Sequence, residues 1–217
     1  TEIEHQVVEM TGGIRAGFEL ILSAGGRKIN LENIGLQELG FSPAEGGIKT
    51  DEFMETEIPG LFAVGDIVMG SPLLAHSAFH QGRMAVKKIA GIQDKVHQVV
   101  PWCIFSSPQV AWVGKKEEEL ENPLTIKLPL RILGIAQAQD ETAGIIKLVA
   151  DKKTEKIMGV HLAGENAAEL IHIGGMAVAG GIKIKELASM VFAHPTFSEI
   201  YSESALALAG EPFHILA

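Results

Sequence analysis

The clearest periodic signal lies in the second half of the chain, where apolar and polar positions alternate in short runs divided by turn residues. The segments Trp102 to Phe105, Gln109 to Val113, Leu124 to Leu130, Ile145 to Val149 and Ile157 to Leu162 read as five strands. The polar stretch Asp151 to Lys156 joins two β-rich runs as a hairpin, so the sheet is expected to be antiparallel. Helical spacing follows at about 165–179, 183–191 and 196–208, and strands followed by helices is the α+β order. The cluster from Lys115 to Glu121 reads as a short solvated helix.

The first half is patterned differently. Short extended segments occupy residues 1–30, notably Phe18 to Leu22, closed by Ser23-Ala24-Gly25-Gly26 and followed by the basic Arg27. The run Leu61-Phe62-Ala63-Val64 is continuously apolar, as in a strand buried on both faces of a parallel sheet. It ends in Gly65-Asp66. A glycine there lets a backbone approach a ligand, and the carboxylate can accept from sugar or ribityl hydroxyls. Residues 73–90 read as a helix whose start, with unpaired N–H groups and a positive dipole end, suits an electron-rich or anionic group. These features predict an α/β nucleotide-binding segment ahead of the α+β domain, with a boundary near residue 96.

Composition narrows the function classes. With 47% hydrophobic and 21% charged residues in 217, the chain can bury a sizeable core. A net charge of −9 without a basic run argues against nucleic acid or an acidic membrane surface as partner. No apolar run approaches a membrane span, so the chain reads as soluble and cytoplasmic. Its single cysteine, Cys103, excludes a redox dithiol made within this chain. The start at Thr1 reads as a piece of something longer or a processed product.

Candidate chemistry concentrates in His194-Pro195-Thr196-Phe197-Ser198-Glu199. Proline biases the residue before it toward extended backbone, which would aim the imidazole away from the following helix. Glu199 could fold back to one ring nitrogen, fix the tautomer and raise the basicity of the other. Thr196-x-x-Glu199 is equally a capping box, sufficient to start a helix. His76 and His80 stand four apart on the predicted helix, but no third ligand is evident, and no metal site is assigned.

Six stretches together resemble the C-terminal half of the flavin-dependent pyridine nucleotide-disulfide oxidoreductases, and among them the dihydrolipoamide dehydrogenases. They are Gly26-Arg27-x-x-Asn30, then Thr56-x-Ile58-Pro59-x-Leu61 through Gly65-Asp66, and Leu73-Leu74-Ala75-His76-x-Ala78. Ser107-Pro108-x-Val110-Ala111-x-Val113-Gly114, Gly159-Val160-His161 and the His194 to Glu199 motif follow in the family's order. The resemblance implies FAD and NAD as cofactors and a lipoyl-bearing protein as substrate. His194 and Glu199 would form an acid-base dyad serving a disulfide outside this chain, across a homodimer built by residues 97–217.

By the same resemblance, Gly65 and Asp66 would meet the ribityl or ribose side of FAD. Leu73, Leu74, Ala75 and His76 would pass beneath the isoalloxazine edge, and Gly26 would lie near the nicotinamide nucleotide. Residues 1–30 would end an NAD-binding domain and 31–96 would close an FAD-binding domain, with the N-terminal half or a partner chain supplying the rest. In a eukaryote the compartment would be the mitochondrial matrix. Ile29 stands where the family usually has proline, and Phe192 where it has a second histidine. The first FAD-binding glycine motif and the redox cysteine pair do not occur. A glutathione-reductase-like fragment and an inactive dimerisation module are the alternatives.

Overall fold

The computed structural model describes residues 6–9, 15–18, 22, 24–41, 46–92 and 99–214. The chain's C-terminal domain is a five-stranded sheet of β3 (Trp102–Ile104), β4 (Gln109–Gly114), β5 (Pro123–Pro129), β6 (Gly144–Asp151) and β7 (Ile157–Gly164), after β1 (Gln6–Glu9) and β2 (Arg15–Phe18) pair as a separate antiparallel ribbon. The spatial order is β3-β4-β7-β6-β5 and every pairing is antiparallel. All five expected strands are present, within two residues of the expected ends.

Alternation explains which face is covered. Ala111 and Val113 of β4, Ile146 and Leu148 of β6, and Val160 and Leu162 of β7 are buried on one side, beneath α3 (Ala167–Gly180) and α5 (Glu199–Ala209). Each such side chain contributes about 1.5–3 kcal/mol on burial. A register shift between Val149 and Ala150 breaks the alternation, so three consecutive residues, Leu148, Val149 and Ala150, are buried.

The hairpin turn follows from local chemistry. Asp151 Oδ1 accepts from both the backbone N–H and the hydroxyl of Thr154, each at 2.7 Å. This is an Asx-type turn. Helix α3 sits close on the sheet because Gly174 has no side chain: a Cβ there would lie 2.9 Å from Val160 Cγ2. Tyr201, fully buried on α5, ties the two helices, donating to the Leu170 carbonyl at 2.7 Å and accepting from the Gly174 N–H at 3.3 Å. Burial pushes its hydroxyl well above the usual tyrosine value.

Two short helices complete this domain, α2 (Gly134–Ala138) and α4 (Ile184–Ala188). The latter stops before the expected residue 191, because Val191 is 98% exposed and offers no buried face to extend it. Lys115 to Glu121 forms a 3-10 turn over Glu117–Glu119, fastened to the sheet by the Lys147–Glu117 ion pair.

The N-terminal part holds α1 (Ala75–Ile89), two residues shorter at its start than expected. The run Leu61 to Val64 does not form a strand within the described residues. Phe62 makes one bridge to Glu55, and Val64 is 38% exposed. An apolar run becomes a strand only with a continuous hydrogen-bonded neighbour, and among the described residues this run has a single bridge. The expected segment Phe18 to Leu22 lies partly outside the described residues. Ile48 pairs with Val68 instead, joining a small core of Phe41, Ile48, Ala63 and Val68. No helix of the described residues is long and apolar enough to cross a membrane.

Candidate active site

Two groups of predicted residues acquire geometry. The first lies at the entry to α5. The His194–Pro195 peptide is cis, and the Thr196 hydroxyl donates to the Ala193 carbonyl at 2.7 Å, closing the turn. Glu199, the first residue of α5, is then reached from both sides. Its Oε1 lies 2.9 Å from His194 Nδ1, and its Oε2 accepts from the Thr196 backbone N–H at 2.8 Å. Glu199 is thus the partner of the histidine through one oxygen and the acceptor for the Thr196 N–H through the other, which is half of the expected capping box: the Thr196 hydroxyl binds the Ala193 carbonyl instead of the Glu199 N–H, and α5 has no side-chain cap.

Electrostatics assign the proton. Burial pushes the Glu199 carboxyl up, but the Thr196 N–H, the His194 hydrogen bond and the charges of His194 and His214 outweigh it, so it titrates below the usual range. A carboxylate only accepts, which makes Nδ1 the donor in this bond, so that whenever the ring is neutral its lone pair is on Nε2. The Glu199 side chain is 17% exposed and that of His194 73%. Nε2 makes no hydrogen bond among the described residues. Gly134, at the start of α2, leaves room beside the ring, since a Cβ there would be 4.0 Å from His194 Cε1.

The second group surrounds the start of α1. Gly65 adopts φ +82° and donates its N–H to Gln81 Oε1 at 2.6 Å, which fixes the turn carrying Asp66. Asp66 Oδ2 pairs with Arg27 at 3.0 Å, and the guanidinium also donates to the Leu73 carbonyl. Leu73 is left-handed at φ +57°, and Leu74 is extended with no side-chain cap on the helix. The first-turn N–H groups of α1 therefore have no internal acceptor, and no acidic residue stands there to neutralise them. His76 Nε2 contacts the Pro101 carbonyl at 2.7 Å, which links α1 to the linker before β3.

His76 and His80 join no group of three metal-ligating side chains among the described residues. His80 lines a cavity of about 450 Å³ with Ser77, Gln81 and Met84. Gly26 is exposed beside Arg27, in a left-handed conformation at φ +108° and with open space where a Cβ would stand. Cys103 sits in β3, its thiol pushed up by burial and by the charge of Glu169, the wrong direction for a nucleophile. Among the described residues no hydrogen bond or ion pair links the Asp66 group to the His194 group.

Sequence reasoning missed Arg27 as the partner of Asp66, Gln81 as the acceptor for Gly65, and a second histidine-carboxylate pair, His214–Glu203. A signal for the last existed in the four-residue spacing of Glu199 and Glu203, which puts both carboxylates on one helix face.

An antiparallel five-stranded sheet under two helices, with a histidine-carboxylate pair at a helix entry, follows a nucleotide-site-like turn and helix. Residues 1–82 match the model of the pyridine nucleotide-disulphide oxidoreductases, and residues 100–205 match the dimerisation domain of the same proteins. The chain belongs to the pyridine nucleotide-disulphide oxidoreductase family.

Within it, the similarity runs to particular proteins. The chain is 35% identical over 204 residues to the dihydrolipoyl dehydrogenase of Geobacillus stearothermophilus, taking in 91% of this chain and 43% of that one. It is 36% identical over 203 residues to the mitochondrial dihydrolipoyl dehydrogenase 2 of Arabidopsis thaliana, with 91% and 40% covered. The crystal structure of LpdA from Mycobacterium tuberculosis superposes with a TM-score of 0.87 at 28% identity, over 93% of this chain and 45% of that one. The flavoprotein disulfide reductase RclA from Escherichia coli shares the fold, with a TM-score of 0.81 at 22% identity over 90% and 47% of the two chains. The chain thus spans less than half the length of the curated relatives it matches.

Proposed function

We propose that this chain carries the acid-base pair, the dimer surface and one wall of the flavin site of a flavoprotein that oxidises dihydrolipoyl groups with NAD+. The observation that carries the reading is the His194–Glu199 pair, bonded at 2.9 Å through Nδ1 while Nε2 faces solvent. A dithiol attacks a disulfide only as thiolate, and a free thiol of pKa about 8.5 is mostly protonated at neutral pH. His194 Nε2 takes that proton, and Glu199 stabilises the imidazolium formed. A positioned base of this kind is worth about 10²- to 10⁴-fold.

The residues around α1 fit FAD. Asp66 retains Oδ1 for a ribityl or ribose hydroxyl beside its Arg27 contact, and Gly65 has no Cβ to obstruct approach. The uncapped N–H groups after Leu74 face outward from Ala75 and His76. NAD lies toward Gly26 in this reading. Bound FAD supplies the two-electron acceptor between the disulfide and NAD+. The redox disulfide itself lies outside the chain, because Cys103 has no cysteine to pair with.

Residues 1–30, 31–96 and 97–217 are read as the end of the NAD-binding domain, the end of the FAD-binding domain and the interface domain. Exposed apolar residues support covering partners. Phe79, Val86 and Ile89 on α1 are 77%, 64% and 67% exposed, and suit the remainder of the flavin-binding domain. Met190 and Val191, just before the dyad, suit a second copy, so that His194 serves the partner's disulfide.

The test is reconstitution with the remaining segment of the family's length. Flavin absorbance that co-elutes on gel filtration, together with dithiol-dependent NAD reduction, supports the reading. A colourless dimer with no such activity after that segment is supplied contradicts it.

A further inference from the structure

Glu203 is the one charged side chain that the fold buries among the described residues, 4% exposed. It lies one turn after Glu199 on α5, between the core residues Ser204, Tyr201 and Ile200. An unpaired carboxylate in such a place costs several kcal/mol. One residue supplies both donors it receives. The His214 backbone N–H reaches Oε2 at 3.2 Å, and His214 Nδ1 reaches Oε1 at 2.7 Å.

This arrangement repeats the first pair. In each, a carboxylate on α5 binds an imidazole Nδ1 through one oxygen and a backbone N–H through the other. The chain turns back after α5, with the Glu211 N–H donating to the Leu206 carbonyl at 2.9 Å, and His214 closes the return. Phe213 packs edge-on against the His214 ring at 4.5 Å and remains 73% exposed. The two carboxylates share a face at helical neighbour spacing, and the charge of His214 reaches Glu199 and helps to keep it ionised.

We propose that Glu203 and His214 form a positioning pair: the buried carboxylate anchors residues 211–214 beside the His194–Glu199 dyad, where Phe213 gives an apolar contact to the hydrocarbon part of the dithiol substrate. This rests on the function proposed above. The anchoring half does not depend on turnover, so its failure and the failure of that function are separable.

The first experiment is amide hydrogen exchange on the full chain. His214→Ala and Glu203→Gln speed exchange across residues 211–214 by about tenfold or more, the loss expected for a hydrogen bond to a charged group. His214→Asn, whose amide can donate from near the Nδ1 position, restores much of the protection. The His214 side chain is half exposed, but His214→Ala leaves the buried Glu203 without its imidazole donor, so thermal unfolding of each variant is recorded with the exchange and protection is compared at residues 211–214 against the rest of α5. Wild-type exchange in both His214→Ala and Glu203→Gln overturns the anchor.

The second experiment is kinetic, on the reconstituted flavoprotein. Phe213→Ala and His214→Ala raise the KM for a dihydrolipoyl substrate about three- to tenfold and leave kcat within about twofold. An unchanged KM, or a loss confined to kcat, overturns the substrate-positioning role. If wild type itself shows no dithiol turnover, the proposed function fails and the exchange result still decides the anchor.

Discussion

Glu199 has two jobs, and replacing it in two ways separates them. In Glu199→Gln the amide oxygen can still accept the Thr196 N–H, now at 2.8 Å. The NH₂ group then faces the Nδ1 proton of His194, donor against donor, and the link now 2.9 Å long is lost. A hydrogen bond to a charged group is worth about 1.5–3 kcal/mol, so dithiol turnover falls about 10- to 100-fold. The stability change is smaller, below about 1 kcal/mol, because the imidazole side is largely solvent-screened. Glu199→Ala loses the acceptor for the Thr196 N–H as well, which adds about 1 kcal/mol of destabilisation. The assay is dithiol-dependent NAD reduction by the reconstituted enzyme, with thermal unfolding of the same samples. Turnover of Glu199→Gln within about twofold of wild type would refute the dyad, and equal destabilisation by Gln and Ala would refute the division of labour between its oxygens.

Other expectations follow from the same structure. Gly174→Ala pushes a methyl to 2.9 Å from Val160 Cγ2 and 3.2 Å from the Tyr201 hydroxyl, and should cost about 1–3 kcal/mol in urea unfolding. Burial holds His161 below the ordinary histidine value of 6.5, with a contact to the Lys115 carbonyl opposing it. Folding therefore disfavours its protonated form, so stability falls as pH drops through 6.5 and below, and His161→Leu flattens that part of the profile. The Glu199 carboxyl is depressed below 4.5, so its contribution is complete above pH 4.5 and lost as pH falls through its folded value; Glu199→Gln removes that acid-side loss. Lys88 binds Asp51 at 2.7 Å and Glu55 at 2.9 Å; these surface pairs are screened by solvent, so Lys88→Met should leave the thermal unfolding midpoint nearly unchanged.

What the sequence could show depended on distance along the chain. Ile145 to Val149 declared itself because one face is buried and the period of two is local, and the Asp151 turn because its hydrogen bonds span three residues. The His194–Glu199 contact was visible for the same reason, lying within six residues. Leu61 to Val64 misled because a run of apolar residues does not say which edges it will find. Arg27–Asp66 was hidden, and so was the identity of the partner of Glu203, since each contact needs the chain to turn back before its charges meet. The Glu199 oxygens illustrate a different limit: two patterns competed for one side chain, and the fold lets one oxygen serve His194 while the other takes only the Thr196 N–H half of the capping box.

In the proposed reaction His194 Nε2 moves the proton of the dithiol. His194→Gln in the reconstituted flavoprotein, assayed for dithiol-dependent NAD reduction alongside flavin content, tests it most directly. Turnover should fall about 10²- to 10⁴-fold with flavin retained. Near-normal turnover, with flavin bound, would contradict it.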